Sequence, residues 1–342
     1  MTIRLTSALA CAAALVAATG LSMQGASAAP APAFVRAADI AAPDNGWDFA
    51  SWDAEHGLLL VAHGTDVLVI DPAHQTVRAI GTVGHAHGVV AIPGTGHILV
   101  SSGADNTARV LDETTGAEIA RIPVAEDPDA VLLSPDARHA YIMGAKAGAI
   151  SVVDLTTNTE LRRIALKPGL EVPVLVTPGQ IAVNNEDASE IELADLDTRS
   201  AAGTIALPGC TGPTGLAYDP EAGLALSACA NGQAALVDLR ARRLVRLLPI
   251  GQGPDTAIWD AVGHRFLVPC GKSGTLSVIA MDGRHATVAP GITTEASART
   301  AAYDPAGARL YLPAARFGPA TTGKRGPIVP GSFHIVVMAP AK

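Results

Sequence analysis

His85 and His87 form the sharpest chemical signal in the chain, a His-x-His pair with His63 upstream. In an extended strand alternate residues project to one side, so these two imidazoles are expected to face the same way. Together with His63, and with Asp48 or Asp129 beside them, they make a ligand set suited to zinc or copper. The same residues also suit proton transfer: His87 and Asp129 would act as general acid and base, with Arg299 steadying an anionic substrate. Against both readings, His-x-His pairs are common on ordinary strands, and His85 can fall on a loop outside the cluster. No glycine-rich phosphate loop, Gly-x-Ser-x-Gly elbow or Cys-x-x-Cys-His haem motif accompanies them.

Residues so far apart need a scaffold that gathers them, and the chain carries one as a repeat. A phrase of about 42 residues returns seven times, its second strands ending at His63, Ser102, Gly144, Asn185, Cys229, Cys270 and Ala314. Each phrase holds a strand of small residues, a Gly/Pro/Asp turn, an apolar strand, a "V-x-D" strand and a charged outer strand. Four strands per unit at this period indicate an all-β fold, a seven-bladed β-propeller of four-stranded antiparallel blades. A lone four-stranded sheet cannot bury both faces, so the units must stack radially. The last phrase lacks its outer strand, whereas Ala33–Ile40 has no blade of its own. That N-terminal strand is expected to complete the last blade and close the ring. The last blade also carries an insertion, Arg316–Gly331, with three prolines and four glycines, which is either a lid or a tether.

In such a ring the inner-strand starts and second-strand ends converge on one channel mouth. The starts supply Asp48, His87, Asp129, Thr214, Asp255 and Arg299, and the ends supply His63 and Asn185, with Cys229 and Cys270. A concave mouth with convergent polar groups is the natural ligand site. The bland alternative is that these side chains merely solvate the funnel. His56, His97, His139 and His264 fall at turns on the opposite face, where exposed-turn preference explains them.

Composition and targeting narrow the class further. Arg4, an apolar run from Leu5 to Leu21 and the small-x-small Ala26-Ser27-Ala28 describe a cleavable signal peptide over residues 1–28. One domain, residues 29–342, is expected to follow, periplasmic or secreted. In that oxidising setting Cys210 and Cys229 are expected to pair, leaving Cys270 as a buried thiol, with Cys229–Cys270 as the other pairing. The chain has a net charge of −8 and 4% aromatic residues, which disfavour nucleic acid and anionic lipid as partners.

The stretches "V-V-D-L-T-T-N-T", "V-L-D-E-T-T-G" and "Y-D-P-A-G-A-R-L-Y-L-P" resemble the YVTN-type, YncE-like family of secreted propellers. So do Gly209-Cys210, Pro213–Pro220, Leu226–Cys229 and Val329–Phe333. The resemblance runs from about residue 34 to 340 and implies seven blades and an extracytoplasmic location. It implies little about activity, since propellers of this kind include lactonases, lyases and dehydrogenase subunits. The expected role is a monomeric module without a membrane anchor, binding a small molecule or partner protein at the mouth. The alternative is a lactonase- or lyase-like enzyme on the same ring, with or without a divalent metal.

Overall fold

In the computed structural model, residues 33–320 and 325–341 are described, so the expected signal peptide lies outside the described residues. The described chain is all β, and its strands form seven antiparallel sheets. Six sheets are consecutive in sequence, beginning at Ala50–Asp53, Ala86–Ile92, Pro128–Leu133, Leu170–Thr177, Pro213–Asp219 and Ile258–Asp260. The seventh takes Ala302–Asp304, Arg309–Ala314 and His334–Pro340 from the C-terminal end and Phe34–Ala41 from the other. The chain is a seven-bladed β-propeller closed by its N-terminal strand.

The repeated phrase has a local cause in its aspartates. Asp71, Asp112, Asp154 and Asp195 each end a third strand. Each accepts hydrogen bonds from the backbone two and three residues on, as Asp154 does from Thr156 and Thr157 at 2.7 and 3.2 Å. These are Asx turns, and they fix where each outer hairpin reverses. The third strands before them are buried almost throughout because they are sandwiched between neighbouring blades.

An apolar cluster fills every junction between adjacent blades, including the one that joins the last blade to the first. The core is therefore a ring of seven interfaces rather than one centre. Cys210 and Cys229 are joined by a disulfide that ties the loop before blade five to its second strand. Cys270 is a buried free thiol. With the paired cysteines 19 positions apart in the sequence, the cross-link restrains the unfolded chain by about 3 kcal/mol. Reducing it should lower the melting temperature by roughly 5 °C. Scanning calorimetry with and without a thiol-free reductant checks this, and an unchanged midpoint would show the bond to be energetically idle.

The described part of the insertion after Arg309–Ala314 packs on the ring. Phe317 bridges to Ile328, and Gly318 N–H donates to the Pro327 carbonyl at 2.8 Å. Asp44 anchors the far end by accepting from the backbone of Ser332 and Phe333 at 3.1 and 2.9 Å. Phe317 stacks on Trp47, ring centres 5.9 Å apart, directly beside Asp48 in the chain.

Candidate functional site

The inner strands begin around the channel with one residue per blade: Asp48, His87, Asp129, Glu171, Thr214, Asp255 and Arg299. Neighbouring strands are stitched together at this level. Phe49 N–H donates to the His87 carbonyl, Ser101 Oγ to the Asp129 carbonyl, and Asp255 N–H to the Arg299 carbonyl. Thr214 Oγ1 reaches the Pro254 carbonyl, and Thr300 Oγ1 closes the circle on the Asp48 carbonyl. Gly88 permits this closeness, because a Cβ there would sit 2.7 Å from the Asp129 carbonyl oxygen.

Two of the ring side chains hold most of the others. His87 Nδ1 lies 2.7 Å from Asp48 Oδ2 and 3.5 Å from Asp129 Oδ1. Its Nε2 faces His85 Nδ1 at 3.1 Å, so these two nitrogens share one proton. Arg299 bonds Asp255 through Nε, the Trp47 carbonyl at 3.1 Å and Asp48 Oδ1 at 3.4 Å through Nη2. The side chains of Asp48, His87, Asp129, Asp255 and Arg299 are 15 to 22% exposed, deep-set yet open to the mouth.

Four ring residues are acids, and burial and crowding raise three of them, Asp129, Glu171 and Asp255. Burial first, and then the negative field of Asp48, holds Asp129 protonated far above the usual carboxylate range. Burial and the charges of Asp129, Glu186, Asp255 and Asp48 push Glu171 up to about 10. Asp255 is also raised, by burial and by Asp48, although Arg299 opposes the shift. Burial works against a charge on His87, but the bond to Asp48 and the field of Asp129 override it and raise the imidazole. One Asp129 oxygen, Oδ1, is buried without any hydrogen-bond partner.

The structure rearranges the residue set expected from the sequence. It unites Asp48, His87, Asp129, Asp255 and Arg299 in one network and keeps Thr214 on the ring, its hydroxyl turned to the backbone. His63 does not join the histidine cluster: it is buried, with Nδ1 on Asp66 at 2.7 Å and Nε2 on the Pro43 carbonyl at 3.0 Å. Both ring nitrogens are thus taken, which removes it from the three-histidine metal set. Asn185 is likewise buried and holds the Pro168 carbonyl and Glu192. His85 is exposed and touches His87 rather than the carboxylates. The ligand-capable trio is instead Asp48, His87 and Asp129, whose donor atoms lie within 4.8 Å of one another.

Glu171 is the ring member that sequence reading passed over. It hides in the apolar Leu170–Val174 run, yet it stands one repeat beyond Asp129 at the start of blade four. The register alone identifies it. Arg325, from the insertion, is a second addition: it lies over the Phe317 ring at 4.8 Å and feels the charges of Arg299 and Asp255.

Among solved structures, the chain is similar to hydrazine synthase of Kuenenia stuttgartiensis, with a TM-score of 0.68 over 78% of this chain and 92% of that one. The two are 15% identical, so the likeness speaks for the propeller fold and not for an activity. No family model and no curated protein matches the chain.

Proposed function

We propose that the protein is an exported binding module of the YVTN-type kind, whose ligand is a small cation or a cation-bearing molecule captured at the channel mouth. The observation that carries this reading is the orphaned Asp129 Oδ1, buried beside Asp48 and His87 in a ring that is rich in acids. A buried carboxylate oxygen without a donor is costly, and a bound cation is the direct remedy. Burial and the neighbouring acids hold protons on Asp129 and Glu171, and a bound cation would compete with those protons.

The spacing favours a divalent metal ion among cations. The ligand atoms of Asp48, His87 and Asp129 lie within 4.8 Å of one another, close enough to converge on one ion once the 2.7 Å hydrogen bond between His87 Nδ1 and Asp48 opens. His87 Nε2–H would then donate to His85 Nδ1, an outer-shell bond of the kind that fixes a metal-ligating tautomer. Export is supported by the signal-like N-terminal sequence and by the disulfide, which persists in oxidising compartments.

Chelator-treated protein titrated calorimetrically with Zn2+ and Mn2+, and separately with aliphatic diamines, tests the reading and separates the two sources of positive charge. A hundredfold excess over the dissociation constant adds about 2.7 kcal/mol, raising the melting temperature by roughly 4 °C. Asp129→Asn keeps the shape of the protonated acid and should weaken binding at least tenfold. Binding should also weaken as pH falls, because protons compete for the same oxygens. Asp129→Asn protein that binds as many ions per chain as the parent and as tightly, or no cation bound at all, would overturn the proposal.

A second reading rests on the Asp48–His87–His85 chain, which links a half-buried carboxylate to the exposed His85 through hydrogen-bonded imidazoles. Such a relay fits general acid–base chemistry of lactonase or lyase type. Turnover of a lactone panel that is lost in His87→Ala would favour it.

A further inference from the structure

A second cluster lies where blades one and two meet, at the hairpin turns rather than at the inner-strand starts. Asp53 ends the inner strand of blade one, His56 sits in the turn after it, and Glu113 follows the third strand of blade two. His56 Nδ1 is 2.6 Å from Asp53 Oδ2 and 3.1 Å from Glu113 Oε2, and the three donor atoms lie within 4.8 Å of one another. Asp53 and Glu113 are 4 and 5% exposed, whereas His56 reaches solvent.

Two independent facts mark this cluster as unfinished. First, Glu113 Oε1 is buried without a hydrogen-bond partner. Second, Glu113 occupies a position that is a core leucine in three other blades. The residue after the "V-x-D" aspartate is Leu155 in blade three, Leu196 in blade four and Leu239 in blade five, each packed into an inter-blade core. A carboxylate in a leucine slot faces a second buried carboxylate here, with His56 beside it and the Arg78 guanidinium reaching its backbone carbonyl as the nearby positive charges.

The surrounding backbone holds the three groups in place. Asp53 Oδ1 caps Glu55 N–H at 2.9 Å and leaves Oδ2 for the cluster. Glu55 in turn accepts from Gly94 N–H of the next blade at 2.7 Å, and Glu113 N–H donates to the Gly96 carbonyl at 3.0 Å. We propose that Asp53, His56 and Glu113 form a divalent-metal site that staples blade one to blade two, separate from the channel mouth. One imidazole and two carboxylates suit a borderline first-row ion such as Zn2+, with water completing the shell on the exposed His56 side.

The probe is Zn2+ added to chelator-treated Asp129→Asn protein, in which the mouth ligand set is already broken. One ion per chain should bind, with a melting rise of several degrees. Co2+ in its place should give visible absorption bands of nitrogen–oxygen coordination. Glu113→Gln and His56→Ala should each weaken binding more than tenfold and abolish those bands. His56→Ala alters an exposed residue, so it reports on the site even if Glu113→Gln folds poorly. No ion bound to Asp129→Asn protein, or binding unchanged in His56→Ala, would overturn the assignment whatever the mouth itself binds.

Discussion

A chain begun at residue 42, without the closing strand, should melt roughly 10 °C below the intact protein or fail to accumulate folded. Phe34–Ala41 pairs along its length with His334–Pro340, from Phe34 against Pro340 to Ala41 against His334. Phe34 enters the core between blades six and seven, and Ile40 enters the core between blades seven and one. One strand therefore seals both flanks of the last blade. Burying these two side chains contributes about 3 to 6 kcal/mol, and each ladder hydrogen bond contributes about 1 kcal/mol net. Its removal also bares the edge of Ile335–Met338, an invitation to pair with another chain. Phe34→Ala, which keeps the ladder, should cost about 3 to 5 kcal/mol. A peptide of residues 33–41 supplied in trans should restore part of the lost stability. Calorimetry of the three forms checks the claim, and an unchanged midpoint in the truncated chain would sink it.

Glu171→Gln should do the reverse and raise stability at neutral pH. The folded protein holds the Glu171 proton up to about 10, whereas the unfolded chain releases it near 4.5. Between those values the native state binds more protons than the unfolded state, so stability falls as pH rises through the window. By pH 7 the penalty reaches at most about 3 kcal/mol. An amide carries no such penalty, so the variant should melt up to roughly 5 °C higher at pH 7 in the presence of chelator. It should match the parent near pH 4.5, and its pH profile should be flatter. If the mouth takes a divalent cation, saturating ion should flatten the parent profile as well. Thermal melts from pH 4.5 to 8 settle this, and a variant destabilised equally across that range would show that Glu171 serves packing rather than charge.

These two effects have different legibility in the sequence. The closing strand could be read because the last phrase ended one strand short while Ala33–Ile40 had no blade. Glu171 could not be read from its own neighbours, since Leu170, Val172 and Pro173 resemble a strand interior. It stands out only when the phrase is held in register from Asp129. His63 shows the opposite error. It ends a second strand, as a mouth residue would, but Asp66 sits three residues on and captures its ring before the mouth can. A strand end fixes where a Cα lies and not which neighbour takes the side chain. The same gap explains Glu113, whose sequence context is one more "V-x-D" turn.

By itself the sequence determined the blade number, the direction of every hairpin and the mode of closure, because period, apolar alternation and Asx turns act over a few residues. Only the tertiary structure decided which polar side chains meet. The ring brings Arg299 onto Asp48 and places Asp129 beside His87, and it leaves single oxygens of Asp129 and Glu113 without donors. Those outcomes depend on distances between blades and on competition for hydrogen bonds, and neither is written in any one repeat.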